Sequence, residues 1–192
     1  MGEINYLEIF GFVTGIVCVY YNARENILGW VFAIISVSVY AIIFFQTKLY
    51  ADFGLQLFFL WQSIYGLVLW QRKIVNKKAL KISSLHYGTW LISVAATILI
   101  FFILYFILTG FTDASMPIFD SFTTALSIVA SYLLAHKKIE NWLYWLIADM
   151  VYVYIYIDRN LYITALLYLV YLGLATYGYM YWRKLSLNEA KN

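Results

Sequence analysis

Residues 142–162 read WLYWLIADMVYVYIYIDRNLY, and residues 30–50 read WVFAIISVSVYAIIFFQTKLY. Set one above the other at an offset of 112 positions, without a gap, they pair Trp30 with Trp142, Tyr40 with Tyr152 and Leu49-Tyr50 with Leu161-Tyr162. The same offset carries outward in both directions. It pairs Glu8 with Asp120, Tyr20 with Tyr132, Tyr65-Gly66 with Tyr177-Gly178, and Trp70 with Trp182. Tyrosine occurs 19 times, so its coincidences weigh little. Four of the seven tryptophans falling into two pairs at one offset is not a product of composition. The chain is a duplication, and each copy is built on long apolar runs.

Of the 192 residues, 64% are hydrophobic and 12% charged, where soluble domains carry about 25% charged residues. Mean hydropathy is +0.77. So few charges cannot cover a water-soluble domain, and nucleic-acid binding has no support in a net charge of only +3. A bilayer helix needs about 20 apolar residues. Runs of that kind predict seven spans near 6–22, 28–46, 51–70, 89–110, 118–135, 142–157 and 162–182. They are continuous rather than alternating, which argues for helices and against a barrel. The start, Met1-Gly2-Glu3-Ile4-Asn5, has no basic region, so no cleavable signal is expected. The single Cys18 excludes an intrachain disulfide and a cysteine metal clip.

Seven spans put the termini on opposite sides, and the 13 Lys and Arg residues choose between them. Lys48 and Arg159 fall on the N-terminal side. The other eleven, Arg24, Arg72, Lys73, Lys77, Lys78, Lys81, Lys137, Lys138, Arg183, Lys184 and Lys191, fall on the opposite side. Positive charge is retained in the cytoplasm, so the C-terminus is expected inside and the N-terminus outside.

Each copy holds three spans, so copies joined directly would face opposite ways. The fourth span has no partner in the duplication and restores the direction. The expected division is a first three-helix repeat at 1–74, a basic cytoplasmic loop and linker helix at 75–115, a second repeat at 116–184 and a cytoplasmic tail at 185–192. The fold class is an all-α integral membrane protein with parallel three-helix repeats in a three-plus-one-plus-three plan. That plan resembles the SWEET-type transporters, whose repeats flank a substrate site near the midplane.

Polar residues inside spans mark function, because hydropathy alone would remove them. Asp52, Gln56, Ser63 and Gly66 share a face of the third span, and Asp120, Thr124, Ser127 and Ser131 share one of the fifth. In the sixth, Trp142, Trp145, Asp149 and Tyr152 make an aromatic stripe around a carboxylate. An acid near a span's centre costs about 2.5–3.5 kcal/mol, and no Lys or Arg lies inside a span to offset it. A proton, water or a cationic substrate must do so. Gln46, Gln56 and Gln62 offer amide donors and acceptors suited to a ribose or heterocycle. Gly11 and Gly15 are spaced for close helix packing. His86 and His136 have no carboxylate at metal-ligand spacing, and no hydrolase, zincin or phosphate-loop motif is present, so neither a metal, a cofactor nor an enzyme activity is expected.

Ile42-Ile43-Phe44-Phe45-Gln46, Leu49-Tyr50-Ala51-Asp52 and the stretch from Gln56 to Ile64-Tyr65-Gly66 resemble the first repeat of the PnuC family of nicotinamide riboside transporters. Phe119-Asp120-Ser121, Leu126-Ser127-Ile128-Val129-Ala130 and Glu140-Asn141-Trp142-Leu143 with Trp145 resemble its second. The resemblance implies a homotrimer in the bacterial inner membrane. It implies facilitated diffusion of a vitamin precursor that a cytoplasmic kinase then traps for NAD biosynthesis. Members carry nicotinamide riboside, thiamine or riboflavin. Retained Gln46 and Gln56 favour the riboside. Asp149, where some riboside carriers have Asn, keeps thiamine as the alternative. A non-transporting membrane protein or an intramembrane enzyme is the more distant one. The implied substrate-binding set is Gln46, Gln56, Asp120, Thr124, Trp142, Trp145, Asp149 and Tyr152.

Overall fold

Long apolar stretches almost free of proline have one way to satisfy their backbone in a bilayer, which is to bond to themselves. The computed structural model of the chain describes residues 6–46, 50–76, 80–112, 114–158 and 162–189, without the side chains of 8, 50–52, 72–76, 163 and 189. The expectations resting on Lys48, Leu49, Lys77, Lys78, Arg159, Leu161 and Lys191, and on the side chains of Glu8, Asp52, Arg72 and Lys73, lie outside the described residues. Among the described residues seven helices follow in order: α1 (Tyr6–Ala23), α2 (Leu28–Gln46), α3 (Tyr50–Asn76), α4 (Tyr87–Phe111), α5 (Pro117–Ala135), α6 (Asn141–Asp158) and α7 (Tyr162–Glu189). The sole proline, Pro117, opens α5, where its missing N–H leaves no helix bond unmade.

The seven-helix, all-α expectation is met, with two differences in length. α3 runs on through Arg72 and Lys73, and α7 through Arg183 and Lys184 into the stretch expected to be a tail. Hydropathy marks where a span leaves the apolar layer, whereas Lys, Arg, Leu and Glu continue a helix into water at little cost. By length and apolarity, α2, α4, α5 and the 53–71 part of α3 each qualify to cross a bilayer. α6 and α7 carry many tyrosines, which lower their hydropathy.

The duplication is reproduced bond for bond in the turns joining the first two helices of each repeat. Glu25 (φ 57°) and Lys137 (φ 52°), 112 positions apart, both adopt the left-handed conformation. The amides of Arg24, Glu25 and Asn26 donate to the carbonyls of Tyr20, Asn22 and Tyr21, and those of His136, Lys137 and Lys138 to Tyr132, Leu134 and Leu133. Gly29 and Trp30 repeat the pattern of Asn141 and Trp142. Each repeat then closes on the same three residues. Trp30 meets Trp70 edge-on at 5.7 Å, and Trp142 meets Trp182 at 5.5 Å. Each indole leaves no room for a side chain on the facing glycine. A Cβ on Gly66 would sit 2.5 Å from Trp30, and one on Gly178 2.7 Å from Trp142.

Gly178→Ala is therefore expected to destabilise the protein by about 1–3 kcal/mol through overpacking. Gly173→Ala, with open space around it, should be neutral or gain about 0.5–1 kcal/mol from helix propensity. Thermal unfolding in detergent compares them, and equal melting temperatures would show that the indole can move aside.

The helices fall into two compact units, residues 1–80 and 81–192. In the first, α1 packs on α2 and α2 on α3. Gly11 lets the α2 side chains of Tyr40 and Val39 approach within 3.1–3.3 Å of a would-be Cβ, and its carbonyl accepts from Ser36 Oγ at 3.0 Å. In the second, α4 packs on α5, α5 on α6 and α6 on α7. Ahead of α4, Ser83 N donates to Lys137 O and Ile139 N to Ser83 O, both at 3.1 Å, so this segment is pinned to the α5–α6 turn. Lys138 Nζ donates to Ser83 Oγ at 2.8 Å, and Leu85 N to Glu140 Oε1 at 3.0 Å. Ser93 Oγ and the Tyr144 hydroxyl, 2.9 Å apart, tie α4 to the same unit higher up. Its core is Leu126, Val129, Ala130, Leu133, Tyr144 and Ala148, with Trp145 and Tyr152 packed against it.

Candidate functional site

α6 presents two surfaces to its neighbours in the second unit. Trp142, in its first turn, is 1% exposed and packed on Gly178 and Trp182 of α7. Its indole N–H finds no acceptor among the described residues, and neither does that of Trp30. The shared environment in both repeats makes this a helix-packing position. Asp149, two turns further along, is 4% exposed. Tyr152 on its own helix and Tyr168 on α7 lie within electrostatic reach of it.

These tyrosines form a stack. The ring of Tyr168 is 4.6 Å from that of Tyr152 and 5.2 Å from that of Tyr156, tilted from them by 33° and 20°. Tyr152 and Tyr156 stack along α6 at 6.2 Å, and Tyr171 meets Tyr168 edge-on at 5.7 Å. From α5, the hydroxyls of Thr123 and Ser127 lie near the Tyr152 phenol. The result is a carboxylate beside a wall of electron-rich rings inside an apolar bundle, an arrangement suited to a flat cation. No group of metal-ligating side chains occurs among the described residues.

Of the residues singled out from sequence, Asp149, Tyr152 and Trp145 come together in this unit, Trp145 against the core that also receives Tyr152. Thr124 is half-buried on α5, and Asp120 stands half-buried in its first turn. Gln46 is exposed as the last residue of α2, and Gln56 is half-buried on α3, both in the first unit. Tyr168, Tyr156 and Thr123 were not singled out. The duplication held the signal for one of them, since position 168 is the counterpart of Gln56.

The sequence family described as nicotinamide mononucleotide transporter matches residues 5–184. The nicotinamide riboside transporter PnuC of Escherichia coli strain K12 is 30% identical over 94% of this chain and 86% of its own length. That of Neisseria mucosa is 27% identical over 90% of this chain and 70% of its own. A crystal structure of the vitamin B3 transporter PnuC superposes with a TM-score of 0.77 at 26% identity, covering 94% of this chain and 81% of that one. Helix order, duplication and sequence agree: the chain belongs to the PnuC family of membrane transporters, and is not an enzyme.

Proposed function

We propose that the protein carries nicotinamide riboside down its gradient into the cytoplasm, with Trp145, Asp149, Tyr152 and Tyr168 at the heart of the site. The burial of Asp149 among stacked tyrosines, 4% exposed with no fixed cation beside it among the described residues, is the observation that carries this reading. A riboside of nicotinamide presents a flat pyridinium cation. It gains cation–π attraction of about 0.5–2 kcal/mol from an aromatic face and answers the charge of Asp149. Gln46, Gln56, Asp120 and Thr124 belong to the proposed site as polar partners for the ribose. Trp142 belongs to it through the support it gives α6.

Thiamine is the second reading, because a carboxylate at 149 can accept from an aminopyrimidine as well as face a cation. Riboflavin is neutral and brings no positive charge to Asp149. Calorimetric titration of the purified protein with each of the three tests the assignment. Binding of the riboside in preference to thiamine supports it, and binding of riboflavin alone overturns it.

The wider proposal is a homotrimer in a bacterial inner membrane, divided as 1–74, 75–115, 116–184 and 185–192, whose cargo a cytoplasmic kinase phosphorylates and so retains. The N-terminus is outside and the C-terminus inside, in keeping with the two-against-eleven distribution of Lys and Arg. In a Cys18→Ala background, a cysteine introduced at Lys81 should be shielded from an impermeant thiol reagent in intact cells, and one at Ser115 should react. The reverse pattern would overturn the orientation.

A further inference from the structure

The turns that join the first two helices of each repeat share one backbone pattern, yet the second of them also holds the segment 82–85 that leads into α4. Ser83 and Lys138 pair as a parallel bridge, with Ser83 N donating to Lys137 O and Ile139 N to Ser83 O, both at 3.1 Å. Two side chains of the turn add to this. Lys138 Nζ donates to Ser83 Oγ at 2.8 Å, and Glu140 Oε1 accepts from Leu85 N at 3.0 Å. At the corresponding positions the first repeat has Asn26 and Leu28. There Asn26 Oδ1 accepts from Leu28 N at 2.9 Å, within its own turn. The duplicated turn therefore closes without a cation or a carboxylate, and what Lys138 and Glu140 add is the grip on the segment ahead of α4.

The attachment continues along α4. Leu85 and Ile100 pack against the core that α5 and α6 share, Ser93 Oγ lies 2.9 Å from the Tyr144 hydroxyl, and the ring of Phe101 meets that of Phe122 edge-on at 6.4 Å. Ile82, at the head of the segment, is buried as well. Lifting the segment off would leave donors and acceptors of the turn unpaired, at the full cost of their desolvation. A stretch held by so many contacts opens only together with the unit it belongs to.

We propose that this clasp is a fixed joint of the transport cycle: the 82–85 segment stays on the α5–α6 turn in every state the carrier visits, and α4 travels with the second repeat as one body. The linker helix is thus mechanically part of the second repeat. This rests on the transport reading above, with the riboside as cargo.

Ser83→Cys with Lys138→Cys, in a Cys18→Ala background, tests it, because paired residues of a bridge lie within disulfide reach. Conformational steps set the rate of many such cycles, so riboside influx into proteoliposomes should keep its maximal rate and KM within about twofold once the disulfide is formed and confirmed by mass spectrometry. Influx that stops on oxidation and returns with a reductant overturns the proposal, because the segment must then let go during transport. Should the disulfide not form, hydrogen exchange on the unaltered protein decides. The amides of Ser83, Leu85 and Ile139 should exchange equally slowly with and without saturating riboside, and faster exchange in its presence overturns the proposal. Lys138→Asn with Glu140→Leu, the residues of the first repeat, should speed exchange at Leu85 roughly tenfold or more. An unchanged rate there overturns the grip assigned to the two side chains. A reduced protein that carries no riboside overturns the substrate reading instead, so the two failures are told apart.

Discussion

Asp149→Leu is expected to lose riboside transport by roughly 10- to 100-fold in kcat/KM, the cost of about 1–3 kcal/mol of leaving a buried polar group of the bound substrate without an acceptor, while melting at a higher temperature than the wild type. The two effects have one origin. Asp149 is buried in an apolar helix with tyrosines for neighbours, and an acid in such a place costs about 2.5–3.5 kcal/mol. Leucine removes that cost and the recognition with it, the trade expected where function keeps a group that stability alone would discard. Asp149→Asn separates charge from shape. The amide retains the size and one acceptor, so riboside flux should survive, whereas thiamine, if carried, should fall steeply because its aminopyrimidine loses the carboxylate. A leucine variant that is both inactive and less stable would instead mark Asp149 as a structural residue.

Trp142→Ala should cost about 3–5 kcal/mol of stability, the usual penalty for emptying a buried tryptophan site. Trp30→Ala should cost about the same, since both indoles fill the space above a glycine and meet a second tryptophan edge-on. Trp145→Ala, half-buried, should be milder in stability and should raise the KM for riboside. Denaturation curves and influx kinetics on the three variants give the comparison. Loss of substrate affinity in Trp142→Ala with no loss of stability would return that residue to the binding face.

This division of the sixth helix shows how far a sequence can be read. The 112-residue offset, the seven helices and the isolated carboxylate at Asp149 were all legible, because each is a pattern along the chain. Trp142 and Trp145 share one aromatic stripe by spacing. They part because Gly178, on another helix, takes one of the two indoles. Tyr168 stayed hidden among 19 tyrosines although it is the counterpart of Gln56, and its nearness to Tyr152, sixteen residues away, sets it apart. The pinning of Ser83 to Lys137 and Ile139 runs through backbone groups, which leave no mark on residue type.

The seated carboxylate, the stacked rings and the family all support carriage of one flat cationic vitamin precursor, and the proposal is that this carriage is passive. The direct test is the purified protein in sealed liposomes with labelled nicotinamide riboside outside, no ATP and no ion gradient. The label should equilibrate across the membrane, faster than in protein-free vesicles, and unlabelled riboside should compete with it. Absence of protein-dependent entry, or accumulation above equilibrium under an imposed proton gradient that collapses with a protonophore, would contradict the account.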